Sequence, residues 1–93
     1  MDTPLHWASD NGHIGAVKLL IEYGANVNAK NKWGEAPLHR ASINNCTIAI
    51  KLLLDHNADA NAKNKWDETP LHEASSYDHT DAIALLKEKE AIE

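Results

Sequence analysis

Identical short words recur along this chain at one fixed distance. Pro-Leu-His stands at Pro4-Leu5-His6, Pro37-Leu38-His39 and Pro70-Leu71-His72, each 33 residues after the last. The same offset relates Ala8-Ser9, Ala41-Ser42 and Ala74-Ser75, and again Leu19-Leu20, Leu52-Leu53 and Leu85-Leu86. Asn28-Ala29-Lys30-Asn31-Lys32-Trp33 returns unchanged as Asn61-Ala62-Lys63-Asn64-Lys65-Trp66, and 18 of 33 positions agree between residues 3–35 and 36–68. A period this strict is the signature of a repeat architecture, in which one unit cannot bury its own apolar face and neighbours must stack on it. The chain reads as two full units and a truncated third.

Within a unit the pattern predicts two helices. Thr3 and Thr69 precede Pro4 and Pro70, which is N-cap chemistry followed by a proline at the first helical position. The first helix is short and ends near Asn11-Gly12, where glycine accepts the positive φ of a helix terminus; Asn45 and Asp78 hold the same place. In the second helix Ile14, Ala16, Val17, Leu19, Leu20 and Ile21 are interrupted only by Gly15, Lys18 and Glu22. Those three form one narrow wet stripe at spacings of three and four, repeated as Ile48, Lys51 and Asp55 and then as Asp81, Ala84 and Glu88. A helix buried on three sides needs neighbours before and behind it, so the units stack as a solenoid. Gly24, and Asn57 after it, stop the second helices, whereas Glu90 holds that position in unit three and the last helix is expected to run on toward the chain end. Extended backbone is expected only in residues 25–35 and 58–68, which are rich in Asn, Asp, Lys and Gly.

Composition removes several classes. Ninety-three residues is the size of one small domain, with 43% hydrophobic and 25% charged residues, too apolar for a disordered chain. A formal net charge of −5 argues against a general nucleic-acid binder. The longest apolar run, Ala82 to Leu86, is far short of the roughly 20 residues of a membrane span. The opening Met-Asp-Thr-Pro has neither the basic nor the apolar segment of a signal peptide, and the lone Cys46 excludes an internal disulfide framework. The expected location is intracellular, in the cytoplasm.

At this point the chain resembles the ankyrin repeat family over essentially its whole length. The residues that carry the resemblance are Thr3-Pro4-Leu5-His6, Gly12-His13, Val17-Lys18-Leu19-Leu20, Gly24-Ala25-Asn26-Val27-Asn28-Ala29 and Gly34. The resemblance implies an all-α repeat solenoid of stacked helix-turn-helix ankyrin repeats joined by β-hairpin-like finger loops. It implies one ankyrin-repeat domain over residues 1–93, with units 3–35, 36–68 and 69–93, whose fingers and first helices line a concave side. Departures are Ala36 for the threonine, Asn45-Cys46 for Gly-His and Asp67 for the finger glycine; these are expected to weaken unit two locally without changing the fold.

Six histidines invite a metal reading, but His6, His39 and His72 sit at one phase of successive units. Packed helices lie about 8–10 Å apart, and ligands spaced by whole repeats cannot meet one zinc ion at about 2.0–2.3 Å. In the family this histidine ties the start of the first helix to neighbouring backbone. His13 and His79 share another phase, with Cys46 between them, and His56 stands alone. Cys46 has no oxyanion loop or orienting carboxylate pattern beside it, and no phosphate-cradling glycine loop occurs. No catalytic residue, metal site or cofactor is assigned, and the chain is not expected to be an enzyme.

The fingers are the informative surface. Each presents Lys-Asn-Lys-Trp and an acidic residue: Lys30, Lys32, Trp33 and Glu35, then Lys63, Lys65, Trp66 and Glu68. Two readings stand side by side: Trp33 and Trp66 brace the stack by packing on each other, or they anchor a partner, as aromatic residues do at interfaces. Trp66, with a unit on each side, is expected to be the more structural. Carried over from the family position by position, the partner-contacting residues are Lys32, Trp33 and Glu35, Lys65, Trp66 and Glu68, and on the first helices Asp10, Asn11, Ile43, Asn44, Ser76 and Tyr77. Trp7, Arg40 and Glu73, which differ completely at one phase, join them. The expected function is a non-catalytic protein-protein interaction module with a protein partner. The alternatives are that basic-aromatic fingers bind an acidic ligand such as single-stranded nucleic acid, or that the chain is a structural fragment of a longer array. With no polar capping unit before Thr3, self-association through the first unit is a further expectation.

Overall fold

The structure, a computed structural model, describes residues 2–89. It contains six helices: α1 (Pro4–Asp10), α2 (Ile14–Glu22), α3 (Pro37–Ile43), α4 (Thr47–Asp55), α5 (Pro70–Ser76) and α6 (Thr80–Glu88). No strand occurs among the described residues. α6 ends at Glu88 with Lys89 as its cap residue, in the register of α2 and α4; the expected continuation of the helix falls on residues 90–93, outside the described residues.

Local chemistry accounts for the helix starts. The hydroxyls of Thr3 and Thr69 accept from the N–H groups of His6 and His72 at 3.3 and 3.2 Å. Ala36 has no such oxygen, and the His39 N–H donates to the Ala36 carbonyl at 3.0 Å instead; α3 keeps the same phase through the bond common to all three units, in which the histidine Nδ1 accepts the cap N–H, here that of Ala36 at 3.0 Å. The turn between paired helices is left-handed in every unit: Gly12, Asn45 and Asp78 have φ of 66°, 54° and 55°. That conformation lets the following N–H reach back five residues, as in His13 to Ala8, Cys46 to Ala41 and His79 to Ala74, at 2.9 to 3.0 Å. Asn45 and Asp78 therefore do the work of Gly12 at some backbone strain.

The first helices lie side by side in one layer and the second helices in another, and the core fills the space between. Leu5, Leu38 and Leu71 recur there, as do Ala8, Ala41 and Ala74. Burial also shows which way each apolar position faces. Ala49 and Ala82, Leu53 and Leu86 are fully buried, but Ala16 and Leu20 at the same phases of unit one are only half-buried, so these positions face the preceding unit. Val17 and Ile50 are fully buried where Ile83 is half-buried, so that phase faces the following unit. All nine residues assigned from the sequence to the wet stripe are exposed. The outcome is a short two-layer stack of 32 × 25 × 20 Å with the two fingers projecting from one edge of the first-helix layer.

Candidate protein-binding face

Each finger is built round a buried asparagine. Asn31 Oδ1 accepts the N–H groups of Trp33 and Glu35 at 2.9 and 3.0 Å, and its amide donates to Glu35 Oε1 at 3.1 Å and Asp2 Oδ1 at 2.8 Å. Backbone bonds from Asn31 to Glu35 and from Gly34 to Asn31 close the loop, both at 3.0 Å. Asn64 repeats the pattern with Trp66 and Glu68, and its amide donates both to Glu68 Oε1 at 3.0 Å and to Glu73 Oε1 at 3.2 Å. Composition alone marks Asn31 and Asn64 only as part of a turn-containing loop. The available signal was their identity in both fingers, two residues before the tryptophan and four before the glutamate, which is the reach of an Asx turn.

With the amide occupied in this way, the turn points its tryptophan outward. Trp33 is 42% and Trp66 61% exposed, and the ring pairs formed elsewhere are Trp7 with His13 and Tyr77 with His79. The indoles of the two fingers do not stack on each other, and Trp66 is the more exposed, not the more structural, of the pair. The fingers are joined instead through backbone: Lys65 N–H donates to Trp33 C=O at 3.0 Å, Lys30 Nζ to Lys63 C=O at 2.9 Å, and the Asn28 side chain receives Asp59 N–H at 2.7 Å while donating to Asn57 C=O at 3.2 Å. The approach is close at Gly34, where a Cβ would lie 3.0 Å from Lys65 N. Identical loops stacked in register align their backbone groups first, and the large rings are left at the rim.

The histidines at the start of the first helices complete the joint between finger and helix. His6 Nε2 donates to Glu35 C=O and His39 Nε2 to Glu68 C=O, which places each finger's return against the helix that precedes it. Burial holds His39 below the ordinary histidine range, opposed by its bond to the Glu68 carbonyl.

Between fingers and helices lies a polar floor. Arg40 meets Asp10 at 2.9 Å and Glu35 at 3.4 Å, and Asn44 donates to the Asp10 side chain. Glu35 is 7% and Glu73 9% exposed, so these two are part of the floor while Glu68 is half-buried beside them. Burial, then the charges of Glu68 and Glu35, push the Glu73 carboxyl up to about 7. Of the other residues carried over from the family, Trp7, Asn11, Lys32, Trp33, Asn44, Lys65, Trp66, Ser76 and Tyr77 are exposed. Asn11 and Ser76 close their own helix ends on Trp7 C=O and His72 C=O, and half-buried Ile43 offers its carbonyl to His79. Burial, with the charge of Asp10, pushes the Cys46 thiol up, away from the thiolate that nucleophilic chemistry needs. Among the described residues no three of His, Cys, Asp and Glu come together as a metal site, and no helix is long and apolar enough to cross a membrane.

Paired helices stacked at a constant offset, with a finger between successive pairs, define a helical solenoid whose variable side chains lie on one edge. A family model for ankyrin repeats, in three copies, matches residues 5–93, and the chain belongs to the ankyrin repeat family. Similar proteins include alpha-latrotoxin-Lg1a of Latrodectus geometricus, 53% identical over 36 residues, which is 39% of this chain and 3% of the toxin. Serine/threonine-protein kinase VIK of Arabidopsis thaliana is 58% identical over 31 residues, 33% of this chain and 7% of the kinase. Ankyrin repeat protein OPG189 of Vaccinia virus is 59% identical over 32 residues, 34% of this chain and 6% of that protein. Each match covers about one repeat, so the likeness is to the repeat itself. Ankyrin repeats are generally protein-interaction modules and typically non-catalytic.

Proposed function

We propose that residues 1–93 act as one non-catalytic protein-binding body whose units, 3–35, 36–68 and 69–93, present a partner-binding face made of finger tips and first-helix ends. The observation that carries this reading is the pair of exposed indoles, Trp33 and Trp66, held on Asn-centred turns that are themselves locked to each other through backbone. A rigid, half-exposed aromatic loses little entropy on binding and contributes large contact area. Trp7, Asn11, Asn44, Ser76 and Tyr77 extend the face along the helices, with Asp10, Arg40, Glu35, Glu68 and Glu73 forming the floor that positions them.

A photo-crosslinking side chain placed at position 33, 66 or 77 tests the reading, with position 51 on the outer stripe as control. Adducts with a protein partner are expected from the first three. Adducts from position 51 alone overturn the assignment of the face.

A second contact is favoured by one observation, an apolar groove of about 240 Å³ on the outer side of unit one, lined by Pro4, Leu5, Leu20, Ala25 and Ala29. The corresponding Pro37, Leu38, Leu53 and Ala62 are buried by unit one. The groove fits a further repeat, whether from a longer array or from a second copy of this chain.

A further inference from the structure

The chain is acidic, with a formal charge of −5, and its finger face carries Asp2, Asp10, Glu35, Asp67, Glu68 and Glu73 beside its lysines. Of these, Asp10, Glu35 and Glu73 turn inward, whereas Asp2 and Asp67 are exposed. Asp10 accepts from Arg40 at 2.9 Å and from Asn44, and Glu35 accepts from Asn31 at 3.1 Å and lies 3.4 Å from Arg40. Glu73 shares the Asn64 amide with Glu68. Lys32 and Lys65 do the opposite. Both are exposed, and the ion pairs among the described residues, Arg40 with Asp10 and Glu35 and Lys89 with Asp55, include neither. Lys32 Nζ sits 4.6 Å from the centre of its neighbour's ring, so a cation and the indole of Trp33 are offered together. Exposed Asp67 tempers finger two, and exposed Asp2, whose Oδ1 accepts from the Asn31 amide at 2.8 Å, tempers finger one. The high carboxyl pKa of Glu73 further lightens the negative charge of the floor near neutral pH.

We infer that the finger face takes an extended acidic peptide segment, with Trp33 and Trp66 receiving apolar side chains and Lys32 and Lys65 receiving carboxylates. The inference rests on the binding-face reading above. Neighbouring units repeat at the spacing of packed helices, about 8–10 Å. A polyproline II segment advances about 3.1 Å per residue with three residues per turn, so two carboxylates three residues apart span one unit and project from the same side. A peptide fits better than single-stranded nucleic acid because Asp67 and Glu68 stand in the same fingers. A backbone charged at every nucleotide meets them, whereas a peptide places its charges only where the lysines are.

The test uses short fluorescein-labelled peptides measured by fluorescence polarisation. One carries two Glu-Leu pairs, with the glutamates three residues apart and the leucines likewise, a second has lysines in place of the glutamates, and an oligothymidylate is the third probe. The acidic peptide is expected to bind roughly fivefold to tenfold more tightly than the basic one at low salt, the scale of two exposed ion pairs gained and repulsion relieved. Lys32→Glu is expected to abolish or invert that preference, while Lys51→Glu on the outer stripe leaves it intact. Equal binding of both peptides, lost in Trp33→Ala, overturns the acidic preference but leaves the face standing. Absence of binding to either peptide removes both the inference and the face beneath it. Tighter binding of oligothymidylate than of the acidic peptide replaces the peptide with nucleic acid.

Discussion

His6 Nε2 lies 2.6 Å from the backbone carbonyl of Glu35, a residue 29 positions further along the chain. Because the Thr3 N–H donates to Nδ1 at 3.1 Å, the proton of the neutral ring belongs on Nε2, where it serves the finger. His39 repeats the arrangement between the Ala36 N–H at 3.0 Å and the Glu68 carbonyl at 2.9 Å. His72 keeps only the inner half, a 3.3 Å bond from the Thr69 N–H, and is exposed. One ring thus cross-links the start of a helix to the loop that leads into the next unit.

Removing that ring should matter in proportion to what it joins. His39→Ala leaves the buried Ala36 N–H without a partner, leaves the Glu68 carbonyl with the Asn64 N–H alone and opens a cavity, and is expected to lower stability by about 2–4 kcal/mol. His72→Ala, exposed and holding one long bond, should cost less than about 1 kcal/mol. Since burial lowers the His39 pKa, its neutral form stabilises the fold above the ordinary value of 6.5, and that contribution is lost as pH falls toward the folded-state value. Denaturant titration of both variants, near neutral and at acid pH, checks this. Equal losses in the two variants contradict the cross-link.

The close approach of the fingers makes Gly34 a sensitive position. Its φ is 73°, and a Cβ would lie 3.0 Å from the amide nitrogen that donates to Trp33 C=O. Gly34→Ala is expected to cost about 2–3 kcal/mol, from the left-handed backbone plus displacement of that bond. Gly24 has φ of 89° but nothing within 4 Å, so Gly24→Ala should cost only about 1 kcal/mol. Asp67 occupies the Gly34 phase with φ of 64°, and Asp67→Gly should be neutral or stabilise by up to about 1 kcal/mol. Melting midpoints of the three variants in one buffer decide it, and a destabilised Asp67→Gly contradicts the strain argument.

Glu73 gives the junction of units two and three its own pH dependence. At the same phase of the chain Arg40 neutralises Glu35, whereas Glu73 faces Glu68 across one shared amide. Its carboxyl is pushed up to about 7 from an ordinary 4.5, first by burial and then by Glu68 and Glu35. A raised folded-state value means that the stabilising contribution is complete below pH 4.5 and is lost as pH rises through about 7. Glu73→Gln, which keeps the acceptor for Asn64, should therefore raise the melting midpoint at pH 8 and change it little at pH 5. A gain that is the same at both pH values contradicts the assignment.

The outer groove of unit one supplies the last prediction. Leu20 is half-buried while its counterparts Leu53 and Leu86 are fully buried, a difference of one missing interface. Fusing an ankyrin unit with a polar outer side ahead of Thr3 should raise the melting midpoint and suppress any self-association. The check is a thermal melt with sedimentation velocity on both forms. Identical melts from two monomeric forms contradict the argument.

Much of the fold was legible because its determinants are local and periodic. The threonine-proline starts, the positive-φ turns at Gly12, Asn45 and Asp78 and the stripe led by Gly15, Lys18 and Glu22 all follow from residues within a few positions of one another, and the structure keeps them. The site was less legible. Lys32, Lys65, Trp33 and Trp66 are exposed, an outcome the sequence left open for the two tryptophans, and the composition of the fingers does not show that Arg40 and Asn31 will take the Glu35 carboxylate. Nor does the chain around Ala36 show that the His39 ring will bridge the Ala36 N–H to the Glu68 carbonyl.

The division follows the range of the forces involved. Helix starts, turns and the register of the apolar positions are decided by backbone sterics and by side chains three or four residues apart, so the sequence alone determined them, and the 33-residue period propagated them through the stack. The fate of a polar or aromatic side chain depends on groups brought near by stacking, such as Glu35 reaching His6, Lys65 reaching Trp33 and Glu73 reaching Asn64. Whether a glutamate is floor or rim, and whether two tryptophans meet or stand apart, is set by solvation and close packing in three dimensions, and only the tertiary structure decided it.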